Sequence, residues 1–452
     1  MKILVLSHIS ELVGGAEKSL LDVFDLWTKD HDIEPEFILR IPVGTLGKAL
    51  RDRGWKYYEL DYTFWSEGNP PKTEEAIARA AEKNTRAVVE TEKIIKKTKP
   101  DVVITNSIVC PWAALAAYNQ KVPHVWFVRE YGDLDHGRIY EIGREKTLQD
   151  VGNLSNLVLT NSKALGKHLG KYIPKSRITI LYNPFDLTKL NKLSRQRIKN
   201  PFTGKDSLKL VATGSLTPSK GQLDVVKAVA KLNAEGINTE LCLVGGNGPR
   251  EYRDEILKVI KTQKLKDKVH LVGHQKNPLA FVALADVGVM ASRREAFGRV
   301  TFEYMAIGKA VVGTDAGGTP EMVTPGENGY LYKRGDIDGL TACLRNYAKD
   351  KGLIEKHGKN SAKKTAEMMN SEHNSQNALE KVEQIAQKGL PASKKRINYM
   401  SRLRDYKRIK SESRITRAKK TVRRQMRAKA GAAYKLLRRM VWNILNSGRY
   451  ER

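Results

Sequence analysis

Short apolar runs alternate with longer stretches of mixed polarity through the first half of the chain, and the second half repeats the rhythm. An apolar run of about four to eight residues predicts a strand buried on both faces. A polar-periodic stretch between two such runs predicts the helix that carries the chain back to a parallel neighbour. The strands predicted in this way are Lys2–Ser7, Glu36–Arg40, Lys56–Leu60, Val102–Thr105, His124–Val128, Leu157–Thr160 and Ile178–Leu181. Helices fill the gaps, notably Glu17–Thr28 and the charged Thr73–Lys97. The second set of strands lies near Lys209–Thr213, Glu240–Val244, Val269–Val272, Asp286–Met290 and Ala310–Val312. Between the sets, Asn183 to Ser207 is polar, holds two prolines and lacks apolar periodicity, so it reads as a linker. The fold class is therefore α/β, with two doubly wound, Rossmann-like domains facing each other across a cleft. The boundaries drawn are 1–185, a linker at 186–206, a second domain at 207–370, a helix at 371–388 and a tail at 389–452.

At 452 residues the chain is too long for one ordinary domain, which agrees with this division. Hydrophobic residues make up 40%, with six Trp, nine Phe and 17 Tyr, enough to build real cores and to exclude wholesale disorder. The cysteines Cys110, Cys242 and Cys343 are scattered without metal-ligand spacing and read as buried thiols of a reducing compartment. The opening apolar run, Lys2 to Ser7, is too short for a secretory signal and runs into a glycine turn. Val102 to Gln120 carries no charge over 19 residues, but Asn106, Ser107, Pro111 and Asn119 make it a poor membrane span. A cytoplasmic protein is expected. Charge is uneven: residues 389–452 hold 21 Lys and Arg against three acids, so this tail supplies +18 of the total +30.

The segment SRREAFGRVTFEYMAIGKAVVGTDAGGTPEMV carries the strongest chemical signal. Glu295 and Glu303 lie eight positions apart and bracket a Phe-Gly turn that opens a helix, followed by an apolar stretch (Lys309 to Gly313) and a second glycine turn, Gly317-Gly318. A strand feeds this site, so it sits at the carboxyl edge of a parallel sheet, where helix N-termini and loops converge on ligands. Eight residues is a little over two helical turns, which places one acid before the helix and the other on its face. The stretch resembles the C-terminal signature of the retaining nucleotide-sugar glycosyltransferases of family 4, and the resemblance extends to about residue 388. It implies the GT-B fold, with an acceptor-side N-terminal domain, a donor-side C-terminal domain, and a helix near Asn370–Gln387 packing back across the cleft. By the same resemblance Glu295 faces the donor sugar, Glu303 the ribose, and Phe297, Gly298, Arg299 and Val300 the rest of the donor.

Other segments extend the match. SHISELVGGAEKS ends the first strand, and Gly14-Gly15 lets the backbone turn tightly where a helix points its free N–H groups at a ligand. The resemblance places this turn beside the donor phosphates and the acceptor. In VATGSLTPSKGQ, Lys220 stands just before a helix and is placed to neutralise a diphosphate, whereas Ser215 occupies the position where the family usually has an arginine. LVGGNGPREY offers Gly246 and Gly248 as pocket lining, and VHLVGHQ offers the backbone near Gly273 and His274 for the base, with His274 itself read as a loop residue. HVWFVREYGDLDHG aligns Glu130 with the family's acid, but Arg129 replaces its histidine; His136 substitutes only if the loop folds back. Arginine keeps its proton and cannot act as a base, though it can pin a phosphate or an acidic acceptor. Asn183 and Asp186, in LYNPFD, read as turn residues, with Pro184 where the family has glycine.

Lys220, Glu295 and Glu130 are thus the expected catalytic residues of a retaining hexosyl-type transferase that needs no covalent intermediate. The expected substrates are a nucleotide-diphosphate sugar and a glycan or lipid-linked glycan, in bacterial surface polysaccharide synthesis. A degenerate scaffold homologue is the alternative, encouraged by Ser215 and Arg129. No cofactor and no metal are expected; Gly335-Asp336-Ile337-Asp338 has Asp-x-Asp spacing but leads into a helix. In the tail, Ile415, Ala418, Val422, Met426, Ala430, Ala433, Leu437, Val441 and Ile444 recur at helical spacing among Arg and Lys, with Gly431 interrupting. A basic amphipathic helix predicts peripheral attachment to an anionic membrane surface; a partner complex is the rival, and nucleic acid is not expected.

Overall fold

The computed structural model describes residues 1–388 apart from Val13 and residues 69–72, and without the side chains of Asp30, Glu67 and Glu74. These residues belong to one compact unit, Met1–Ile397; the basic tail predicted at 389–452 lies outside the described residues. The strands are β1 (Lys2–Ser7), β2 (Glu34–Arg40), β3 (Lys56–Leu60), β4 (Ser66–Glu67), β5 (Val102–Asn106), β6 (His124–Val128), β7 (Ile139–Tyr140), β8 (Leu157–Thr160) and β9 (Ile178–Ile180). They continue with β10 (Leu208–Thr213), β11 (Thr239–Val244), β12 (Val269–Gly273), β13 (Val287–Met290), β14 (Ala310–Thr314) and β15 (Gly329–Tyr332). Except for the antiparallel ribbon β4–β7, these strands form two wholly parallel sheets, ordered β3-β2-β1-β5-β6-β8-β9 and β12-β11-β10-β13-β14-β15.

Each sheet is wound outward in both directions from its first strand. The order reverses between β1 and β5 in one sheet and between β10 and β13 in the other, and crevices open at the carboxyl ends of such strand pairs. The protein is therefore an α/β molecule of the GT-B type. Its central strands are mostly apolar because helices cover both faces: β5 and β6 are buried at every position, with polar residues only at their ends. Trp27, Trp112, Trp126 and Phe24 are among the largest fully buried side chains, each contributing about 1.5–3 kcal/mol relative to exposure.

The helix Ser375–Lys388 closes the unit. Its Ala378, Leu379 and Val382 belong to the core that Ile3, Val5 and Trp27 build under the first sheet. Trp27 Nε1 donates to the Ser375 carbonyl (2.9 Å), and Tyr182 N donates to that of His373 (2.9 Å). The segment read as a linker without apolar periodicity in fact contains the helix Leu187–Ser194. Asp186 caps it by accepting from Lys189 N (2.8 Å), and Leu187 and Leu190, three apart, pack on the second domain's core beside Phe185 and Ile198. Strand β15 was missed because a four-residue GYLY stretch beginning with glycine gives little pattern.

At the opposite end of the second sheet, Glu240 anchors the chain's entry into that domain. Its carboxylate accepts from Thr203 N (2.9 Å), Gly204 N (2.7 Å) and Ser207 Oγ (2.7 Å), with His270 Nε2 at 2.9 Å. Burial pushes the carboxyl pKa up, but these bonds more than offset it and hold the group at about 2. A depressed carboxyl pKa stabilises the fold fully above the unfolded value of 4.5, and the benefit fades as pH falls toward about 2. Glu240→Gln should cost about 1–3 kcal/mol near pH 7 in denaturant melts. The deficit relative to wild type should shrink steadily between pH 4.5 and 2; a pH-independent deficit would contradict the assignment.

Candidate active site

Two loops meet at the carboxyl edge of the second sheet, one after β10 and one after β13. The first turns through Gly214 (φ +134°) and reaches Gly221 (φ +70°), which precedes the helix Gln222–Ala234. A Cβ on Gly221 would stand 2.2 Å from the Ala291 carbonyl oxygen, so the missing side chain is what lets this helix start lie against the end of β13. Lys220 then reaches Glu295, Nζ to Oε1 at 2.6 Å, with both side chains partly exposed. Burial raises the Glu295 carboxyl, yet Lys220, Ser292 and, more weakly, His136 outweigh that and leave it below the usual glutamate value. Glu295 is accordingly ionised at neutral pH. His136 ends the short helix Asp133–His136, and its charge bears only weakly on this carboxylate.

The Gly317-Gly318 turn buttresses Glu295 from below. Gly318 N donates to the Glu295 carbonyl (2.8 Å), and a Cβ on Gly317 (φ +64°) would fall 2.1 Å from that same oxygen. Past Glu295 the chain buries Phe297 against Phe185 and Phe302, turns at Gly298 (φ +93°) and enters the helix Arg299–Ala306. Glu303 lies on that helix, as its spacing predicted, and has no hydrogen-bond or ion-pair partner among the described residues. Burial raises its pKa, with Arg299 and Lys18 pulling the other way. The Arg299 side chain crosses to the first domain, where Nη1 donates to Ser19 Oγ (2.5 Å) and faces Asp22 (3.3 Å), its guanidinium 4.3 Å above the Phe185 ring. Val300 is partly buried against the same aromatic cluster.

Gly14 and Gly15 open the helix Gly15–Asp30 opposite this point, and a Cβ on Gly15 would lie 3.0 Å from Arg299 Cδ. The carboxylate of Glu17 folds back over Gly14 and lies 3.1 Å from His8 Nδ1. The glycines after β11 divide. Gly246 and Gly273 face open space, whereas a Cβ on Gly248 would strike the Leu216 carbonyl oxygen at 1.8 Å, so Gly248 packs one loop on another. Ser215 is exposed, and its carbonyl accepts from Gln222 Nε2 (2.9 Å).

The remaining expected residues gather on the first domain. Glu130 is buried, and its Oε1 accepts from Ile108 N (2.8 Å) and from Ser107 Oγ. It is engaged with the loop after β5, while Lys220 and Glu295 engage each other. Asn183, read as a turn residue, is buried and accepts from Arg129 Nη1 (2.9 Å).

Two family models cover most of this architecture: Glycosyltransferase Family 4 matches residues 43–189 and Glycosyl transferases group 1 matches 194–364. The chain belongs to the family 4, group 1 glycosyltransferases. It is 32% identical over 200 residues to N-acetyl-alpha-D-glucosaminyl L-malate synthase of Bacillus anthracis, covering 44% of this chain and 51% of the relative. It is 29% identical over 215 residues to the N-acetylgalactosamine-N,N'-diacetylbacillosaminyl-diphospho-undecaprenol 4-alpha-N-acetylgalactosaminyltransferase of Campylobacter jejuni, covering 47% and 56%. The chain thus spans about half the length of the curated relatives it matches. Among solved structures, Anabaena Alr3699/HepE in complex with UDP superposes with a TM-score of 0.65 at 20% identity, over 85% of this chain and 99% of that one. A glycosyltransferase from Rickettsia africae gives 0.68 at 18% identity, over 85% and 98%.

One residue of this glycosyltransferase escaped the sequence reading although it stands in the quoted GGTPE stretch. Glu321, from the second domain, accepts from Lys163 N (2.9 Å) and Ala164 N (2.6 Å) at the start of a first-domain helix, and from Tyr182 Oη (3.2 Å). An acid at a helix N-terminus is favourable, and here it ties the two domains together.

The buttress under Glu295 is open to a paired test. Gly317→Ala forces a side chain onto the Glu295 carbonyl, whereas Gly326→Ala has a similar φ (+79°) but open space around it. Gly317→Ala should lower the rate of donor turnover at least about tenfold, since small misplacements at a reacting centre are costly. Gly326→Ala should leave that rate nearly unchanged, and equal effects would refute the buttress.

Proposed function

We propose that this glycosyltransferase moves a sugar from a nucleotide-diphosphate donor to a glycan or lipid-linked glycan acceptor, with retention of anomeric configuration, in bacterial surface polysaccharide synthesis. The observation that carries the reading is the Lys220–Glu295 pair at the switch point of the second sheet, beside the start of the helix that bears Glu303. A diphosphate entering there competes with Glu295 for Lys220, which frees the carboxylate to orient the sugar hydroxyls. The lysine and the amides of Gly298 to Val300 then take up negative charge as the nucleotide leaves, and the acceptor attacks the same face. Glu303, with no partner of its own among the described residues, is placed to accept from ribose hydroxyls. Support for the donor class comes from neighbours crystallised with UDP and with UDP-glucose. Support for the setting comes from relatives named for capsular polysaccharide and lipopolysaccharide core synthesis.

The mechanism as proposed uses no metal. Among the described residues no group of three or more His, Cys, Asp or Glu is placed to hold one, and Asp336 caps a helix by accepting from Gly339 N (2.8 Å). Among the same residues no helix is long and apolar enough to cross a membrane. Attachment from the cytoplasmic side through the basic tail is the form of membrane association proposed, and it rests on the tail's basic amphipathic sequence. A scaffold role is the second reading, favoured by Ser215 and Arg129 at positions where family 4 usually has an arginine and a histidine.

Turnover of a panel of nucleotide sugars, with and without glycan acceptors, separates the two. An enzyme releases nucleotide with at least one donor, and Glu295→Gln or Lys220→Ala should cut kcat about 10²–10³-fold, the size expected for a lost charge stabiliser. Proton NMR of the product should show the donor's own anomeric configuration, and a chelator should leave the rate unchanged. No turnover of any donor would favour the scaffold.

A further inference from the structure

Three asparagines at or beyond strand ends of the first sheet gather at Arg129, two of them on its guanidinium and one on its backbone carbonyl. Arg129, directly after β6, is only 8% exposed. Its Nε donates to Asn106 Oδ1 at the end of β5 (2.7 Å), and its Nη1 donates to Asn183 Oδ1 beyond β9 (2.9 Å). Asn161, after β8, donates to the Arg129 carbonyl (3.0 Å), and the Phe127 ring lies beneath the guanidinium at 5.2 Å. The group is therefore fixed on three sides. Two donors remain: Arg129 Nη2 and Asn106 Nδ2 are buried and have no hydrogen-bond partner among the described residues.

The acids nearby do not fill this gap. Glu130 bonds to Ser107 and Ile108, and Glu17 is near enough to act on Arg129 through its charge but makes no ion pair with it. A buried cation with no acceptor on one nitrogen is costly, and a planar guanidinium beside an amide N–H is suited to an oxyanion. The place is also right, at the carboxyl edge of the first sheet, one strand from its switch point and within electrostatic reach of Arg299 across the cleft.

We infer that Arg129 Nη2 and Asn106 Nδ2 form an anion subsite on the acceptor side of the cleft, which takes a carboxylate or phosphate group of the acceptor. The assignment to an acceptor rests on the transferase reading above; the anion subsite itself does not. The arginine that stands in place of the family's histidine then serves specificity. It binds the charge of the incoming molecule, and a neutral sugar would leave its last nitrogen unpaired.

The test is thermal stabilisation of the full chain at constant ionic strength, with a saturating nucleoside diphosphate to occupy the donor's own anion site. The probes are glycolate, inorganic phosphate and the neutral, equally sized glycolamide. Glycolate or phosphate should raise the melting temperature, their relative strength telling a carboxylate acceptor from a phosphate one, and glycolamide should not. Arg129→Met should weaken the response about tenfold or more. Asn106→Asp supplies an internal carboxylate and should raise the melting temperature in plain buffer while abolishing the response; it carries the test if Arg129→Met does not fold. Equal responses to glycolate and glycolamide, no response to either anion, or an undiminished response in the variants would overturn the subsite. A chain that binds no nucleotide yet binds anions through Arg129 would sink the donor reading and leave the subsite standing.

Discussion

The contact of Lys220 with Glu295, at 2.6 Å, joins the two loops that flank the switch point of the second sheet. Everything around it serves that meeting. Gly221 brings one loop against the Ala291 carbonyl, and Gly317 admits the other over its own backbone. Both packings depend on the absence of a methyl group and on left-handed backbone that glycine adopts without strain. A site of this kind is set mainly by backbone against backbone, with the charged side chains added last. In this structure each charge answers the other, and under the proposed function a diphosphate would offer the lysine a stronger partner.

The two domains are joined by polar contacts as much as by the chain that links them. Arg299 reaches Ser19 and Asp22, Glu321 reaches the start of the helix Lys163–Leu169, and Trp27 holds the returning C-terminal helix. The helix that bears Glu303 therefore begins with a residue that also grips the first domain. A ligand that engaged Arg299 would act on both domains, which gives closure of the cleft a physical route. In the first domain the buried Asn106, Asn161 and Asn183 hold Arg129, a different task from the charge pairing in the second.

Much of this was legible in the sequence. Both sheets announce themselves because short, mostly apolar strands stand out when helices cover both faces, as β5 and β6 show. Glu295, Glu303, Phe297 and the two glycine turns were readable because their spacing fixes where they fall relative to one helix start. What remained hidden was long-range. No local pattern shows that Glu130 bonds to Ser107 and Ile108, that Asn183 receives a bond from Arg129, or that Glu321 caps a helix in the other domain. The helix Leu187–Ser194 was overlooked for a related reason, since its few leucines make sense only against the second core. Gly248 looked like pocket lining, and only the nearby Leu216 carbonyl shows that it serves packing.

The proposed function requires that the crevice between β10 and β13 receive a nucleoside diphosphate whose phosphates take Lys220 from Glu295. Calorimetric titration tests it most directly, with nucleoside diphosphates and the matching nucleosides, on the wild-type chain and Lys220→Ala. One diphosphate should bind, its nucleoside should bind much more weakly, and Lys220→Ala should lose most of the difference. Equal affinity of diphosphate and nucleoside, or a diphosphate affinity unchanged by removing the lysine, would contradict it.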